Sequence, residues 1–318
     1  TMIRFLTQRM IFGAGVLLML SAFVFFLFFV APGDPARMIA GDKATEAQLI
    51  QIRKNLGVDR PIVVQYASFL SRAISGDLGF SYRNQQPVAP IIVRRIPVTL
   101  SLVLGGALLW LAIGIPMGIM SARYAGGLRD RIGQAFILVG LSFPTFVLGM
   151  MSLYLLYFIP KQAGFTLFPP GGYKALTTQP LLWAWHLVLP WTTLALTMAA
   201  VYARLTRGQM LDVMGEDYIR TARAKGLSER RVIWKHGLRA VLTPLVTQLG
   251  ADIAMLLGGV IIIEQVYGLQ GVGALAVQAV ANQDRPIIIG VVLLGGVFIV
   301  ISNIVVDLFY VLLDPRVR

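Results

Sequence analysis

The chain has 318 residues, of which 57% are hydrophobic and only 14% are charged, and its mean hydropathy is +0.74. This composition excludes an ordinary soluble domain and predicts an integral membrane protein. The absence of cysteine excludes disulfides, thiolate metal sites and thiol nucleophiles, and only two histidines, His186 and His236, argue against a zinc site. The net charge of +13 is dispersed between apolar runs, which favours contact with the anionic lipid bilayer and argues against nucleic acid as a partner.

The first apolar run covers residues 10–30 and is long enough to cross the hydrocarbon core of a bilayer as a helix. Arg4 and Arg9 precede it, so we expect the amino terminus to lie in the cytoplasm. A cleavable signal peptide is the competing interpretation, but the run is long for one and no small-residue cleavage motif follows it. Residues 1–31 are therefore predicted to form a cytoplasmic tail and an uncleaved first span.

Residues 32–96 form a polar segment that prolines and glycines interrupt. Within it, residues 45–56 and 61–74 have the pattern of short helices, and residues 79–90 have that of a loop. The segment is too long for a simple connection between two spans. We predict an extracytoplasmic subdomain that packs on the helical bundle.

A second span is predicted at residues 97–122. Gly114 and Gly118 have the spacing that lets another helix approach closely, and Pro116 between them can kink the helix. The short basic loop that follows, residues 123–131, is expected to be cytoplasmic.

The third predicted span, residues 132–159, contains Ser142 and Pro144 in the sequence SFPTF. Pro144 removes one backbone donor, and the hydroxyls of Ser142 and Thr145 can satisfy the groups that it frees. Two interpretations are open: a structural kink, and a break that lines a pore. A nucleophilic Ser142 is not supported, because the second glycine of a hydrolase elbow and convincing His and Asp partners are missing.

A fourth span is predicted at residues 183–202, after an outer loop at residues 161–180. Its tryptophans are expected to form an aromatic belt near the outer interface, with His186 as an interfacial side chain. The three tryptophans are Trp183, Trp185 and Trp191.

The fifth and sixth predicted spans, residues 240–263 and 287–313, carry the ionisable groups Asp252 and Asp307. Such groups are costly at membrane depth unless they are paired or in water, so each is either a functional group or part of a hydrogen bond between helices. Asn303 shares a helical face with Asp307. We expect both to point into the bundle or to its inner boundary, with Asp307 paired to an arginine.

The segment between these two spans, residues 264–286, begins with Glu264 and contains the sequence GLQGVG. No strand precedes the glycines, so a dinucleotide fingerprint is rejected. A short, half-buried helix with tight turns on the outer side is expected instead.

Residues 204–239 form a polar insert with nine basic and four acidic residues, which is expected to be cytoplasmic by its charge and by the parity of the spans. A stripe of side chains at steps of three and four predicts a short amphipathic helix before Gly226. Gly226 is expected to end that helix in the left-handed conformation, and Ser228 to begin a second helix that enters the bilayer. The stripe comprises Met210, Val213, Met214, Tyr218, Ala222 and Lys225.

The insert resembles the coupling segment of ABC-importer permeases, in the version of the peptide and nickel branch. The run DYIRTARAKGLSERRVIWKHGLRAVLTP carries this resemblance, with Ala222, Gly226 and Leu238 at the general superfamily positions. The residues that depart from the general pattern resemble the version of the peptide branch: Arg220, Thr221, His236 and Arg239. The resemblance extends over nearly the whole chain, through PGDPARMIAG, LGVDRPIVVQY, GDLGFSY, SFPTFVLG and LLDPRVR.

This resemblance implies an all-α integral membrane protein of the bacterial inner membrane, with about six transmembrane helices in the type I ABC-importer permease fold. Both termini are expected in the cytoplasm, and residues 97–318 form the core permease domain. The implied partners are a second homologous permease subunit, two cytoplasmic ATPase subunits and an extracytoplasmic substrate-binding protein. The residues that it assigns to ATPase coupling are Asp217, Tyr218, Arg220, Thr221, Ala222, Arg223, Lys225, Gly226 and Leu227.

The chain contains no Gly-Lys pair and hence no phosphate-binding loop, so it is not expected to hydrolyse ATP. As a transport subunit it is expected to be no enzyme and to hold no cofactor. ATP and Mg²⁺ are expected on the ATPase partners. The implied cargo is dipeptides or oligopeptides, with nickel chelates or another small solute as the alternative.

An ion-coupled secondary transporter is the second hypothesis, with Asp252, Glu264 and Asp307 as relays, although inverted repeats are not evident. An intramembrane hydrolase lacks a convincing nucleophile and base. The candidate polar residues of the pathway or the bundle are Ser142, Pro144, Asp252, Glu264, Asn303 and Asp307.

Overall fold

The computed structural model describes residues 2–30, 45–56, 60–81, 83–257 and 260–313, and this part of the chain is almost entirely helical. The motif at 32–41, Asp59 and the terminal DPRVR fall outside the described residues. The helices in chain order are α1 Met2–Phe25, α2 Glu46–Leu56, α3 Ile62–Ile74, α4 Val88–Arg123, α5 Leu128–Ser142, α6 Thr145–Leu153, α7 Ile159–Gln162, α8 Pro180–Met214, α9 Asp217–Ala224, α10 Glu229–Arg231, α11 Leu238–Leu257, α12 Ile261–Val266, α13 Val272–Ala281 and α14 Arg285–Leu313. Short π-helical turns at Phe26–Val30, Tyr154–Phe158 and Val232–Gly237 extend α1, join α6 to α7 and join α10 to α11.

Five helical stretches of the described chain are long and apolar enough to cross a membrane, and α5 with α6 and α7 forms a sixth, sharply bent candidate. The prediction of about six spans is therefore confirmed. Several spans begin or end outside the predicted limits, because an apolar run marks the part in lipid and not the whole helix. The five stretches are Thr7–Val30, Val88–Arg123, Pro180–Met214, Glu229–Leu257 and Arg285–Phe309.

Helices α4 and α8 form the centre of the bundle and pack closely along their length. A Cβ placed on Gly118 would lie 2.6 Å from the carbonyl oxygen of Ala203, and one on Gly114 would lie 2.8 Å from that of Ala199. The predicted close approach at these glycines is thus a contact within the chain. Toward the other end of α4, Gly106 meets Leu194, so the two helices run parallel. Pro116 lies inside α4 without ending it.

We expect Gly118→Ala to lower the free energy of unfolding by about 1–3 kcal/mol, because the obstructing atom belongs to the backbone of α8 and cannot rotate away. Gly208→Ala on α8 is the matched control, since a Cβ there meets no atom within 4 Å. Thermal unfolding of the detergent-purified protein measures both changes. Equal unfolding temperatures for the two variants would contradict this account of the helix contact.

The third predicted span is two helices instead of one. Helix α5 ends at Ser142, Phe143 adopts an extended conformation (φ −97°, ψ 129°), and α6 begins after Pro144. The two halves meet at 95°. A proline disfavours the helical conformation of the residue before it, which explains the break at Phe143. Ser142 and Pro144 are exposed, and the Ser142 hydroxyl donates to the carbonyl of Leu138 at 2.6 Å.

The segment between the first two spans contains both predicted helices, α2 and α3. Helix α3 packs on α1, where the Tyr66 and Ser21 hydroxyls lie 2.8 Å apart and Phe69 contacts Phe25. The prediction of a loop at residues 79–90 was wrong. This stretch contains a small antiparallel hairpin of β1 (Phe80–Ser81) and β2 (Gln86–Pro87), and α4 begins directly after the hairpin.

Two of the three tryptophans expected in an aromatic belt are partly buried and pack against the core of the bundle. The indole N–H groups of Trp183 and Trp191 donate to the hydroxyl and the carbonyl of Ser101 on α4, at 3.0 and 2.9 Å. Trp185 is 44% exposed and stacks on Phe168. A buried indole needs a hydrogen-bond acceptor, and Ser101 supplies it to two rings at once.

Candidate functional site

The candidate coupling segment is a short helix, α9, connected at both ends to long helices. Helix α8 continues to Met214, and Gly215 separates it from α9, with its N–H donating to the carbonyl of Asp212 at 3.1 Å. The prediction of one amphipathic helix before Gly226 was therefore wrong, because the stripe is divided between α8 and α9. Met210 on α8 and Ala222 on α9 are both buried, at 1% and 7% exposure.

Gly226 ends α9 as predicted, with φ at +74°. Its N–H donates to the carbonyl of Arg223 at 2.9 Å, and the N–H of Leu227 donates to the carbonyl of Ala222 at 3.4 Å. This pair of bonds is the Schellman motif, in which a left-handed residue closes a helix. A Cβ at Gly226 would meet no atom within 4 Å, so the glycine is required by the backbone conformation and not by space.

One face of α9 is fixed by an apolar cluster. Ile219 and Val232 are completely buried, and Ala222 packs beside them. The small side chain of Ala222 therefore lets α9 lie close to Val232, at the start of the π-helical turn in the second half of the insert. Val213, Met214 and Leu227 complete the cluster.

The opposite face of α9 is polar and exposed. Tyr218 is 46% exposed. Its partial burial and the nearby negative charge of Glu216 raise the pKa of its phenol, so the hydroxyl remains protonated and can donate a hydrogen bond. Arg223 donates to both carboxylate oxygens of Glu229, at 3.2 and 2.9 Å, which joins the two sides of the Gly226 turn. The other exposed residues on this face are Asp217, Arg220, Thr221 and Lys225.

The second helix of the insert runs into the membrane without interruption, as predicted. Helix α10 begins after Ser228 and passes through the π-helical turn Val232–Gly237 into α11. A Cβ on Gly237 would lie 3.2 Å from the terminal methyl of Met210, which shows how closely this turn packs on α8. Helix α9 is therefore attached to two spans at once, to α8 through the Gly215 turn and to α11 through the Gly226 turn and α10.

An ion pair with a buried carboxylate, which the sequence did not indicate, joins α5 to the C-terminal part of α8. Asp130 on α5 is 2% exposed and accepts hydrogen bonds from Arg207 Nε at 2.8 Å and Nη2 at 2.9 Å. The N–H of Gly126 at 2.9 Å and the Ser121 hydroxyl also donate to it. The only signal in the sequence was one aspartate in an otherwise basic loop.

The structure places Asp252 and Asp307 at contacts between helices. Asp252 accepts hydrogen bonds from the Tyr202 hydroxyl of α8 at 2.8 Å and from the Gln248 amide at 2.9 Å, which matches the predicted bond between helices. Asp307 forms an ion pair with Arg9 at 3.0 Å, as predicted, and so joins the start of α1 to the end of α14. Asn303 is exposed and does not point into the chain's own bundle.

Glu264 is completely buried and holds the start of α13. Its carboxylate accepts hydrogen bonds from the Thr99 hydroxyl at 2.6 Å and the N–H of Ala274 at 2.7 Å. The same hydroxyl accepts from the N–H of Val272 at 2.9 Å. A Cβ on Gly271 would clash with the carboxylate, so this glycine of the GLQGVG sequence makes room for Glu264. The predicted half-buried helix with tight turns is confirmed.

The sequence matches known families over most of its length. Residues 114–318 match the family described as the binding-protein-dependent transport system inner membrane component, and residues 2–103 match the N-terminal component of such systems. A probable peptide ABC transporter permease of Sinorhizobium fredii is 38% identical over 99% of both chains. The glutathione transport system permease of Escherichia coli is 37% identical over 100% of this chain and 99% of its own.

A solved structure has the same fold. A chain of the MetNI methionine ABC transporter, in an inward-facing form, superposes with a TM-score of 0.52 over 68% of this chain and 95% of its own, at 19% identity. This likeness supports the predicted type I permease fold, and the ion-coupled alternative is not favoured. The chain is a multi-pass membrane protein that belongs to the family of inner-membrane permease components of binding-protein-dependent ABC importers.

Proposed function

We propose that the chain imports dipeptides or oligopeptides as one of two homologous permease subunits that enclose a common pathway. Two cytoplasmic ATPase subunits drive it, and an extracytoplasmic binding protein delivers the peptide. The printed functions of its relatives, peptide and glutathione transport, support the cargo class. Nickel chelates or another small solute are the alternative cargo within the same machinery.

The observation that carries this proposal is the attachment of α9 to two spans. Its buried face, formed by Ile219 and Ala222, packs on Val232 in the π-helical turn that leads from α10 into the spanning helix α11. Its exposed face presents a phenol, a hydroxyl and several charges to the solvent. A partner that grips this face can transmit its motion to α8 and α11, because close-packed helices move as bodies.

ATP hydrolysis belongs to the ATPase partners. The sequence contains no phosphate-binding G-x-x-x-x-G-K-[ST] motif, which supports placing ATP and Mg²⁺ on other subunits. The exposed cations Arg220 and Lys225 favour an acidic docking surface on the ATPase. Arg223 instead serves the turn through its ion pair with Glu229.

The proposed orientation has both termini and α9 in the cytoplasm. The start of α1 and the end of α14 meet at the Arg9–Asp307 ion pair, and the nine basic residues of the insert favour the cytoplasmic side. The parallel course of α4 and α8 brings the basic loop after α4 to the same side as the insert.

A labelling experiment tests whether the ATPase subunits bind the exposed face of α9. The chain has no cysteine, so Thr221→Cys introduces a single thiol on the exposed face. In inside-out vesicles that contain the whole importer, we expect the ATPase subunits to protect this thiol from a membrane-impermeant maleimide. Stripping the peripheral subunits with urea should restore rapid labelling.

Leu128→Cys is the matched control, because Leu128 is 74% exposed and begins α5, which contributes no residue to the apolar cluster of α9. Its labelling should change much less when the ATPase subunits are removed. Equal labelling of Thr221→Cys before and after stripping would refute the coupling role of α9. Labelling of Thr221→Cys only from the outer side would refute the orientation.

A further inference from the structure

Asp252 is the one candidate pathway residue whose charge is neither neutralised nor fully buried in the described chain. Its two hydrogen-bond donors, Tyr202 and Gln248, are both neutral, and no described arginine or lysine forms an ion pair with it. Asp130 and Asp307, by contrast, each have an arginine partner within 3.0 Å. A carboxylate at membrane depth calls for a compensating cation or for water.

Glu264 shows why Asp252 is different. Glu264 also has only neutral donors among its hydrogen-bond partners, but it is 0% exposed and its oxygens face Thr99 and the start of α13. No solute can reach it. Asp252 is only partly buried and keeps lone pairs that its two donors do not occupy.

Asp252 borders a face of α11 that the described chain does not cover. Met255, one turn along, is 79% exposed, and Ala251 is exposed as well. Gln248, one turn before Asp252, places a second polar group on this face. A carboxylate beside an amide does not face lipid tails, so this face of α11 fits a water-filled pathway.

Tyr202 fixes where the charge lies. Its side chain is completely buried against Trp110, with ring centroids 6.1 Å apart, and its hydroxyl donates to one carboxylate oxygen of Asp252. The Gln248 amide donates to the other oxygen. The carboxylate is thus held in one orientation before any ligand arrives, which lowers the entropy lost on binding.

We propose that Asp252 is a binding residue of the translocation pathway, and that it pairs with the α-ammonium group of the peptide as it passes α11. This rests on the proposed peptide-import function. An ammonium group is the cation that every unmodified peptide carries, and it can donate three hydrogen bonds to such a carboxylate.

Uptake of radiolabelled dialanine by proteoliposomes that contain the whole importer and saturating binding protein tests this inference. Loss of one charge-assisted contact should reduce the maximal uptake rate of Asp252→Asn about tenfold or more. Asp252→Glu keeps the charge and should recover most of the rate. Tyr202→Phe removes one hydrogen bond to Asp252 but keeps the charge, whereas the amide oxygen of Asp252→Asn can still accept from Tyr202. Tyr202→Phe should therefore lower thermal stability at least as much as Asp252→Asn and reduce uptake less.

The outcomes separate the inference from the proposed function. If the wild-type importer takes up no peptide, the proposed cargo fails, and the inference fails with it. If it imports dialanine and Asp252→Asn does so at the same rate, only the inference is overturned. It is also overturned if all three variants lose uptake equally, or if Asp252→Asn no longer purifies with the second permease, since the cation would then be a subunit contact.

Discussion

Replacing Asp130 with alanine should lower the free energy of unfolding by about 3 kcal/mol, because it removes a buried acceptor and leaves the partly buried guanidinium of Arg207 without its counter-ion. Arg207 donates two hydrogen bonds to this carboxylate, and the N–H of Gly126 and the Ser121 hydroxyl lose their acceptor as well. Thermal unfolding in detergent measures the change. We also expect a lower amount of the protein in the membrane.

A double-mutant cycle can measure the interaction energy between Asp130 and Arg207 apart from their contacts with other residues. Arg207→Ala alone leaves the buried carboxylate, while the combined Asp130→Ala and Arg207→Ala variant leaves neither charge, so it should be more stable than the sum of the single losses predicts. Arg204→Ala is the matched control, because Arg204 is an exposed arginine of α8 in the preceding turn. Additive effects of the two single changes would show that the ion pair does not hold α5 to α8.

Replacing Glu264 with alanine should destabilise the contact between α4 and α13 by about 3 kcal/mol. The change leaves the N–H of Ala274 and the Thr99 hydroxyl without an acceptor in a site that excludes water, and each such loss costs about 1–3 kcal/mol. Hydrogen exchange should report the change locally, with faster exchange at Val272 and Ala274. Thermal unfolding reports it globally.

Glu264→Gln is the conservative control for this site. Glutamine has nearly the same volume and keeps one oxygen to accept from Ala274, so we expect a smaller loss of stability. Gly271→Ala should resemble Glu264→Ala, because its methyl group would displace the carboxylate. Unchanged exchange at Ala274 in Glu264→Ala would contradict the role given to this carboxylate.

The sequence indicated the spans and the Gly226 turn correctly because both depend on local chemistry. An apolar run must enter lipid, and a glycine that ends a helix needs no distant partner. The start of α4 and both ends of α8 were not predicted, because these helices continue beyond the lipid, where the residues are no longer apolar and hydropathy does not mark the helix. The division of the predicted amphipathic stripe at Gly215 was missed for a related reason, since two helices joined by one turn can share an apolar face.

Contacts between distant parts of the chain could not be predicted from residue patterns. Asp130 and Arg207 are 77 residues apart, and Thr99 and Glu264 are 165 apart. Nothing in the sequence around Asp130 or Glu264 specifies which arginine or which hydroxyl will be its hydrogen-bond partner. Asp307 was an easier case, because a carboxylate near the end of a span requires a cation and the first span begins with arginines.

Helices α4 and α8 are both longer than a bilayer requires. Their 36 and 35 residues correspond to rods of about 50 Å at 1.5 Å per residue, whereas the hydrocarbon core is about 30 Å thick. Gly118 of α4 lies opposite Ala203 of α8, and α8 continues to Met214 whereas α4 ends at Arg123, so the last turns of α8 alone extend past α4 toward α9. If α9 is the proposed contact of the ATPase partner, this extension of α8 would hold that contact in water, away from the bilayer surface.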